Sequence, residues 1–208
     1  MNNNLSELAK TSHEVSRSKG WWDDGPKPDS TLITLMHSEV SEALEDFRMN
    51  HAPNESWLET TAEHGGVKYS IRDDVNGVKP CGVPSELSDI IIRIGDYFGG
   101  RGLDLEAAYK RTLDLEPIKG FEQGLARIHY ALSMAWGSSQ EFLSEGNPLL
   151  DNSINVNNML DGKTYWLAMA VRYTFDLAKI YGIDLWHHIE LKTEYNKTRA
   201  HRHGGKRI

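Results

Sequence analysis

The segment PSELSDIIIRIGDYF, residues 84–98, decides the fold class, because its apolar residues recur at the spacing of an α-helix. At about 100° per residue they form one apolar stripe. The stripe consists of Leu87, Ile90, Ile94 and Tyr97. Glu86 lies about 40° from Ile90 and Asp89 about 100°, both on the same flank of the stripe. The segment therefore predicts an amphipathic helix with two carboxylates along the edge of its buried face.

A predicted helix at about residues 30–50 has the same design. Its apolar stripe consists of Ile33, Met36, Val40, Ala43 and Phe47. Taking Met36 as the centre, Glu39 lies about 60° away and Glu42 about 120° away on one flank. Glu45 falls at about 180°, on the opposite side of the helix. The two helices thus carry matching pairs of acids.

These two pairs, Glu39 with Glu42 and Glu86 with Asp89, predict a metal site. Each pair spans almost one helical turn, so its members project from one side of the helix. Two facing pairs would offer four hard oxygen ligands, which are the ligands that Mg²⁺ selects. The alternative is that they are ordinary surface acids. Asp and Glu make up 30 of 208 residues, so a single pair is weak evidence and the matched second pair strengthens it.

Helical patterns dominate the rest of the chain. Apart from the helices at 30–50 and around 84–98, the sequence predicts helices at 3–18, 104–116, 121–144, 163–181 and 184–198. Residues 145–162 predict a loop. The segment 64–83 predicts a small β-hairpin, because Asn76-Gly77 favours a type I′ turn. The expected architecture is an all-α helical bundle with this hairpin as its only β-structure.

Composition excludes several classes of protein. The hydrophobic content of 39% over 208 residues suffices for a proper core. A net charge of −7 argues against a general nucleic-acid-binding protein. The single cysteine, Cys81, excludes an internal disulfide and favours a reducing cytoplasm. The first residues have neither a basic region nor an apolar run, and the chain contains no stretch of about 20 apolar residues, so we expect no signal peptide and no membrane partner.

A faint internal repeat divides the chain into two halves. Residues 102–105 match residues 182–185 at an offset of 80, and His37 matches His129 at an offset of 92. The second half has no acids at the four positions that correspond to the two pairs, which hold Ala131, Met134, Trp166 and Met169. We therefore expect a single domain, 1–208, with a metal-binding half at 20–116. The remainder, 121–208, would be a degenerate second half with a basic C-terminal tail.

Three motifs together resemble a known family. They are HSEVSEALE at 37–45, ELSDIIIR at 86–93, and KTEYNKTR at 192–199, which is followed by HGGKR at 203–207. In combination they are similar to the MazG-type nucleoside triphosphate pyrophosphohydrolases of the all-α NTP pyrophosphatase group, which also holds the dimeric dUTPases. The resemblance covers about 20–116 and 180–208. The spacer at 43–85 is longer than is usual in that group, and 117–180 separates parts that a single-unit member keeps contiguous.

The resemblance implies a hydrolase of nucleotide metabolism. Such an enzyme cleaves a nucleoside triphosphate between the α- and β-phosphates and releases the monophosphate and pyrophosphate. Glu39, Glu42, Glu86 and Asp89 would be its catalytic metal ligands, for Mg²⁺ or alternatively Mn²⁺. Glu42 could also orient the attacking water or accept its proton. The resemblance further implies a cytoplasmic homodimer whose partner is the nucleoside triphosphate, with no stable nucleic-acid complex.

The same resemblance points to substrate-binding residues. Lys192, Asn196 and Arg199 recur on one helical face that suits a triphosphate, although a solvated basic helix end is the alternative. Trp22 could stack on the base or serve as a lid on the core. Arg93 could balance the carboxylates or contact phosphate. We expect these five residues to surround the substrate.

Two other functions remain open at this stage. A dUTPase-like specificity is the nearest one, because the sequence names neither the base nor the sugar. A catalytically inactive nucleotide-binding or interaction module is the other, although the intact carboxylates of the first half argue against it. Nucleic-acid binding through the basic tail is disfavoured by the net charge of −7.

Overall fold

The structure, a computed structural model, describes residues 4–59, 78–114, 116–139, 141–142 and 156–205, and only the backbone of 156–161. The helices of this part are α1 (Leu5–Ser18), α2 (Asp29–Arg48), α3 (Val83–Arg101), α4 (Leu105–Lys110), α5 (Phe121–Gly137), α6 (Val156–Ile180), α7 (Leu185–Thr198) and α8 (Arg202–Gly205). Two short strands, β1 (Trp57–Glu59) and β2 (Lys79–Cys81), pair antiparallel. The predicted all-α fold with a small β-pair is confirmed.

Local chemistry places several helix ends where the sequence predicts them. The side chain of Asp104 accepts a hydrogen bond from the backbone N–H of Ala107 and caps α4. Asp184 caps α7 in the same way through the N–H of His187. Gly102 ends α3 in the left-handed conformation, with φ 64°. These caps fix the turns that lead from α3 to α4 and from α6 to α7.

Other boundaries differ from the prediction. Helix α4 ends at Lys110 rather than near 116, and α5 ends at Gly137 rather than near 144. Helix α6 begins at Val156, inside the predicted loop 145–162. The predicted turn at Asn76-Gly77 lies outside the described residues. Strand β2 falls in the predicted hairpin segment, but its partner β1 lies before 64, because pairing between distant strands leaves no local pattern.

The core lies between the predicted apolar stripes of α2 and α3 and the helices of the second half. Both stripe centres, Met36 and Ile90, are fully buried. Helix α2 packs on α3, and this contact corresponds to that of α5 with α6 in the second half. Helix α7 also packs on α3, and this contact corresponds to that of α4 with α6. Helix α2 also meets α5, and α3 meets α6. Each of these contacts has its counterpart under the internal repeat. Helix α1 packs mainly on α3.

The helices in the described part of the chain all lack the combined length and apolar character that a membrane span needs.

Candidate metal centre

Three carboxylates come together between α2 and α3. Glu39, Glu42 and Glu86 each offer one oxygen atom, and these atoms lie within 4.8 Å of one another. Glu39 and Glu86 are buried, whereas Glu42 is exposed. Glu45 is exposed and is not part of this group. The group therefore has a buried floor and one side open to solvent; we call it the carboxylate cluster.

Two cations neutralise part of the charge around this cluster. Arg93 donates its Nε–H to Glu39 Oε1. The Nζ atom of Lys192 lies 2.8 Å from Asp89 Oδ2 and 3.9 Å from Glu86 Oε1. Asp89 therefore stands beside the cluster, bound to Lys192, and is not the fourth member of the group. With all four acids ionised, the formal charge is −4 + 2 = −2, which equals the charge that a divalent cation would balance.

Lys192 joins three elements of the fold. Its side chain is only 3% exposed. Besides its ion pairs, Nζ donates to Ser85 Oγ at 2.8 Å and to the Pro80 carbonyl at 3.4 Å. It thus connects α7 to the first turn of α3 and to β2. The structure places this lysine inside the group of acids, whereas the sequence assigned it to the triphosphate.

The pKa values show how strongly burial acts on the acids. Burial raises the pKa of Glu86 to about 8; Lys192 opposes this shift, and the neighbouring acids, Asp89 foremost, add to it. Burial likewise raises the pKa of Glu39 to about 6, against the opposing effect of Arg93. Burial alone would lower the pKa of Lys192, but the attraction of Asp89 and Glu86 outweighs it and raises that pKa. The buried acids therefore gain by binding either a proton or a metal ion.

Asn196 and Arg199 follow Lys192 along α7. The Oδ1 atom of Asn196 is buried and has no hydrogen-bond partner among the described residues. Burial lowers the pKa of Arg199, and the opposing effects of Tyr195, Asp89 and Glu39 are too small to reverse this shift. Its guanidinium lies 5.5 Å from the ring centre of Tyr195. Because a buried acceptor without a partner is unfavourable, Asn196 is suited to a donor from a ligand.

Trp22 lies further along the same flank of α3. Its indole N–H donates to Asp96 Oδ1 at 3.0 Å, and its ring meets that of His13 edge-on. Asp96 also accepts a hydrogen bond from Ser16. Asp96 follows Asp89 by seven residues, or about 10 Å along the helix axis. Trp22 therefore packs as a lid at the end of the flank that carries the cluster, and its contact with a base stays a prediction.

Two open clefts lie beside α1, with volumes of about 510 and 490 Å³. Trp22, Arg17 and Asp23 line the first cleft. Neither cleft contains a member of the carboxylate cluster. The cluster instead meets solvent directly, through the exposed Glu42.

The second half has apolar side chains at the positions that correspond to the acids. Ala131 and Met169, the counterparts of Glu39 and Asp89, are fully buried. Thr112, the counterpart of Lys192, accepts a hydrogen bond from Arg172 Nε. The repeat-equivalent region is therefore filled by packing, and among the described residues the carboxylate cluster belongs to the first half alone.

Sequence reasoning missed two sets of contacts. Lys192 donates to Ser85 Oγ and to the Pro80 carbonyl, and no sequence pattern reveals these two acceptors. His37 and His129 contact each other, with Nδ1 atoms 2.8 Å apart and ring planes at 12°. The centroid separation of 5.0 Å shows that the rings lie nearly end to end and share one hydrogen bond. The repeat offset of 92 related these two histidines but did not predict their contact.

Comparison of the chain with protein-family models, curated proteins and solved structures gives no match. The functional reading of the site therefore depends on the residues themselves and on the resemblance of their motifs.

Proposed function

We propose that this protein is a Mg²⁺-dependent nucleoside triphosphate pyrophosphohydrolase, which converts a (d)NTP into a (d)NMP and pyrophosphate. The observation that carries the proposal is the carboxylate cluster, in which Glu39, Glu42 and Glu86 approach within 4.8 Å. The motif resemblance adds the reaction type and the substrate class. On the same basis we propose a cytoplasmic homodimer.

The donor set fits Mg²⁺. Glu39, Glu42 and Glu86 supply hard oxygen ligands, and the residual formal charge matches a divalent ion. Magnesium sites commonly use one or two carboxylates together with substrate phosphates, so three acids suffice. Asp89, the fourth predicted ligand, would lie beside the ion and is paired with Lys192 at 2.8 Å. The same oxygen donors suit Mn²⁺. When bound, the ion neutralises the phosphate oxygens and the leaving pyrophosphate.

Residues of the chain would activate the attacking water and bind the substrate. Glu42 is exposed and makes no ion pair with a described residue, which supports a role for it in orienting the attacking water and accepting its proton. Arg199 and Arg93 offer guanidinium groups for phosphate oxygens. The unpartnered Oδ1 of Asn196 would accept a hydrogen bond from a hydroxyl or amine of the substrate. Lys192 would fix the positions of the Asp89 and Glu86 carboxylates through its two ion pairs.

The decisive experiment is phosphorus NMR of the products from a panel of ribo- and deoxyribonucleoside triphosphates with Mg²⁺. We expect the monophosphate and pyrophosphate and no diphosphate, with Mn²⁺ supporting turnover and a chelator abolishing it. Orthophosphate as the first product would remove the proposal. Turnover of dUTP alone would favour the dUTPase-like alternative, and binding without turnover would favour an inactive nucleotide-binding module.

A further inference from the structure

The C-terminal residues fold back onto the loop that follows α1. The backbone N–H of Arg202 donates to the Lys19 carbonyl at 2.8 Å, and its Nε–H donates to the Gly20 carbonyl at 3.1 Å. Its Nη2 atom lies 2.7 Å from Asp24 Oδ2. We call this set of contacts between residues 199–205 and 19–24 the clasp.

Further contacts surround this arginine. The Nε2 atom of His201 lies 3.0 Å from Asp23 Oδ2. The ring of His203 meets the ring of Trp21 edge-on, with 5.0 Å between their centres. From the other side, Lys19 donates its Nζ–H to the Lys197 carbonyl at 2.6 Å. The clasp therefore joins both segments through backbone, charged and aromatic groups.

The backbone on both sides of the clasp is shaped for this contact. Arg202 and His203 have φ values of 44° and 49°, a left-handed conformation that residues with a side chain rarely adopt. Such a conformation persists only where surrounding contacts over-determine it. Opposite them, Gly20 has φ 79°, and a Cβ atom there would lie 1.9 Å from His201 Nε2. Only glycine fits at this point.

The clasp joins the loop after α1 to the chain segment after α7. The loop carries Trp22, whose N–H donates to Asp96 on the flank of α3. The tail begins at Arg199, directly after the helix whose Lys192 binds Asp89. A change in the clasp would therefore move both groups and leave the metal ligands on α2 and α3 where they are.

We propose that Arg202 is a positioning residue, which holds the Trp22 loop and the end of α7 together around the bound nucleotide. The proposal rests on the proposed function, since it assigns this arginine to the same site. Arg202 itself would contact neither the metal nor the phosphates. Its effect would reach the substrate through Trp22 and Arg199.

The experiment compares the steady-state kinetics and metal binding of Arg202→Ala with those of the natural chain. The variant keeps the backbone hydrogen bond to Lys19 but loses both side-chain contacts. We expect KM for the nucleotide to rise about tenfold, the scale of one lost charge-assisted hydrogen bond. We expect kcat to stay within about twofold, because uniform binding is lost and the chemistry is not. The thermal stabilisation by Mg²⁺ alone should be unchanged.

Three further variants sharpen the comparison. Asp24→Asn should raise KM in the same way, and the double variant should be no worse than either single one, because the two groups act together. Arg202→Lys should restore part of the affinity. Lys197→Ala is the matched control, since its side chain pairs with Glu194; it should leave KM unchanged. Hydrogen exchange of residues 20–24 should accelerate in Arg202→Ala and not in the control.

The outcomes separate this proposal from the function on which it rests. An active natural chain whose KM is unaffected by Arg202→Ala would overturn the positioning role alone. Unaltered hydrogen exchange at residues 20–24 in that variant would do the same, and so would a loss confined to kcat. A natural chain that neither binds nor cleaves nucleotides would overturn both proposals together.

Discussion

At the scale of single residues, the acids of α2 and α3 are alike in sequence but differ in their surroundings. The helical wheel predicted that Glu39 and Glu86 border the apolar stripes, and both are at most 5% exposed. It also predicted that Glu45 points away. It could not predict that Asp89 binds Lys192, because those residues are about a hundred positions apart and α7 brings them together. Local spacing thus identified the acids that border the apolar stripes, but not their counter-charges.

This difference in surroundings predicts unequal effects of two conservative substitutions. Glu86→Gln should abolish turnover, because an amide cannot supply the charge that holds the metal. Its helicity by circular dichroism should be preserved, since burial already favours the neutral form of Glu86, whose pKa is about 8. Glu45→Gln, the matched control on the exposed face, should change activity little. Equal damage by both would show that the assigned face of α2 is wrong.

Lys192 gives a second prediction at this scale. The structure leads us to expect that Lys192→Ala lowers the free energy of unfolding by about 3–5 kcal/mol, since it leaves buried acids without their cation. Lys197→Ala, on the exposed side of α7, should change it by less than about 0.5 kcal/mol. Urea unfolding of the metal-free proteins measures both. A Lys192→Ala chain as stable as the control would mean that the ion pair contributes nothing to the fold.

At the scale of secondary structure, the elements with strong local signals were predicted and the others were not. Asp104 and Asp184 carry capping side chains, and the helices after them begin where expected. Val156 has no such signal: α6 starts within an Asn-rich segment whose low helix propensity predicted a loop. Helix α6 as a whole packs on α5, and such a contact leaves no local signal in the sequence. The contact of His37 with His129, between α2 and α5, also depends on packing that no single segment specifies.

The histidine pair makes the contact of α2 with α5 sensitive to pH. Burial lowers the pKa of both His37 and His129, and His129 lowers that of His37 further. Below about pH 6.5 the imidazoles of the unfolded chain bind protons that the folded pair resists, so this pair contributes a fall in stability as the pH falls. The raised pKa values of Glu39 and Glu86 act in the opposite direction, so the contribution of the histidines is measured as the difference between variant and natural chain. His37→Leu combined with His129→Leu should reduce this fall between pH 7.5 and 5.5, measured by urea unfolding.

His187→Gln provides the control for this pH experiment, because that imidazole is exposed. It should keep the pH dependence of the natural chain. If the control flattened the curve as much as the double variant, the shared hydrogen bond between α2 and α5 would not be its source.

At the scale of the whole molecule, the helices of both halves of the chain form one core. A few matching positions in the sequence suggested a duplication, and the helix contacts have the symmetry that a duplication predicts. The proposed metal ligands lie in the first half, but Lys192, Asn196 and Arg199 come from the second. The candidate site is therefore composed of both halves, and neither half buries its apolar stripes alone.

This shared core predicts the behaviour of a shortened chain. A fragment of residues 1–116 would keep every proposed metal ligand but lose α5, α6 and α7, which cover α2 and α3. We expect it to be insoluble or inactive, measured by soluble yield and by pyrophosphate release. A soluble fragment with full activity would show that the second half is an accessory and that the site is not composite.

Apolar packing at the positions of the second half that correspond to the acids would oppose the introduction of acids there. Restoring an acid at Ala131 or Met169 would bury a charge in a fully packed position, which is strongly unfavourable without a partner. The partners are missing as well, because Thr112 stands where Lys192 would be needed and Tyr173 where Arg93 would be. Each single substitution toward a second set of acids would therefore produce a chain with an unpaired buried charge. The apolar packing of the second half therefore acts against the appearance of a second carboxylate cluster there.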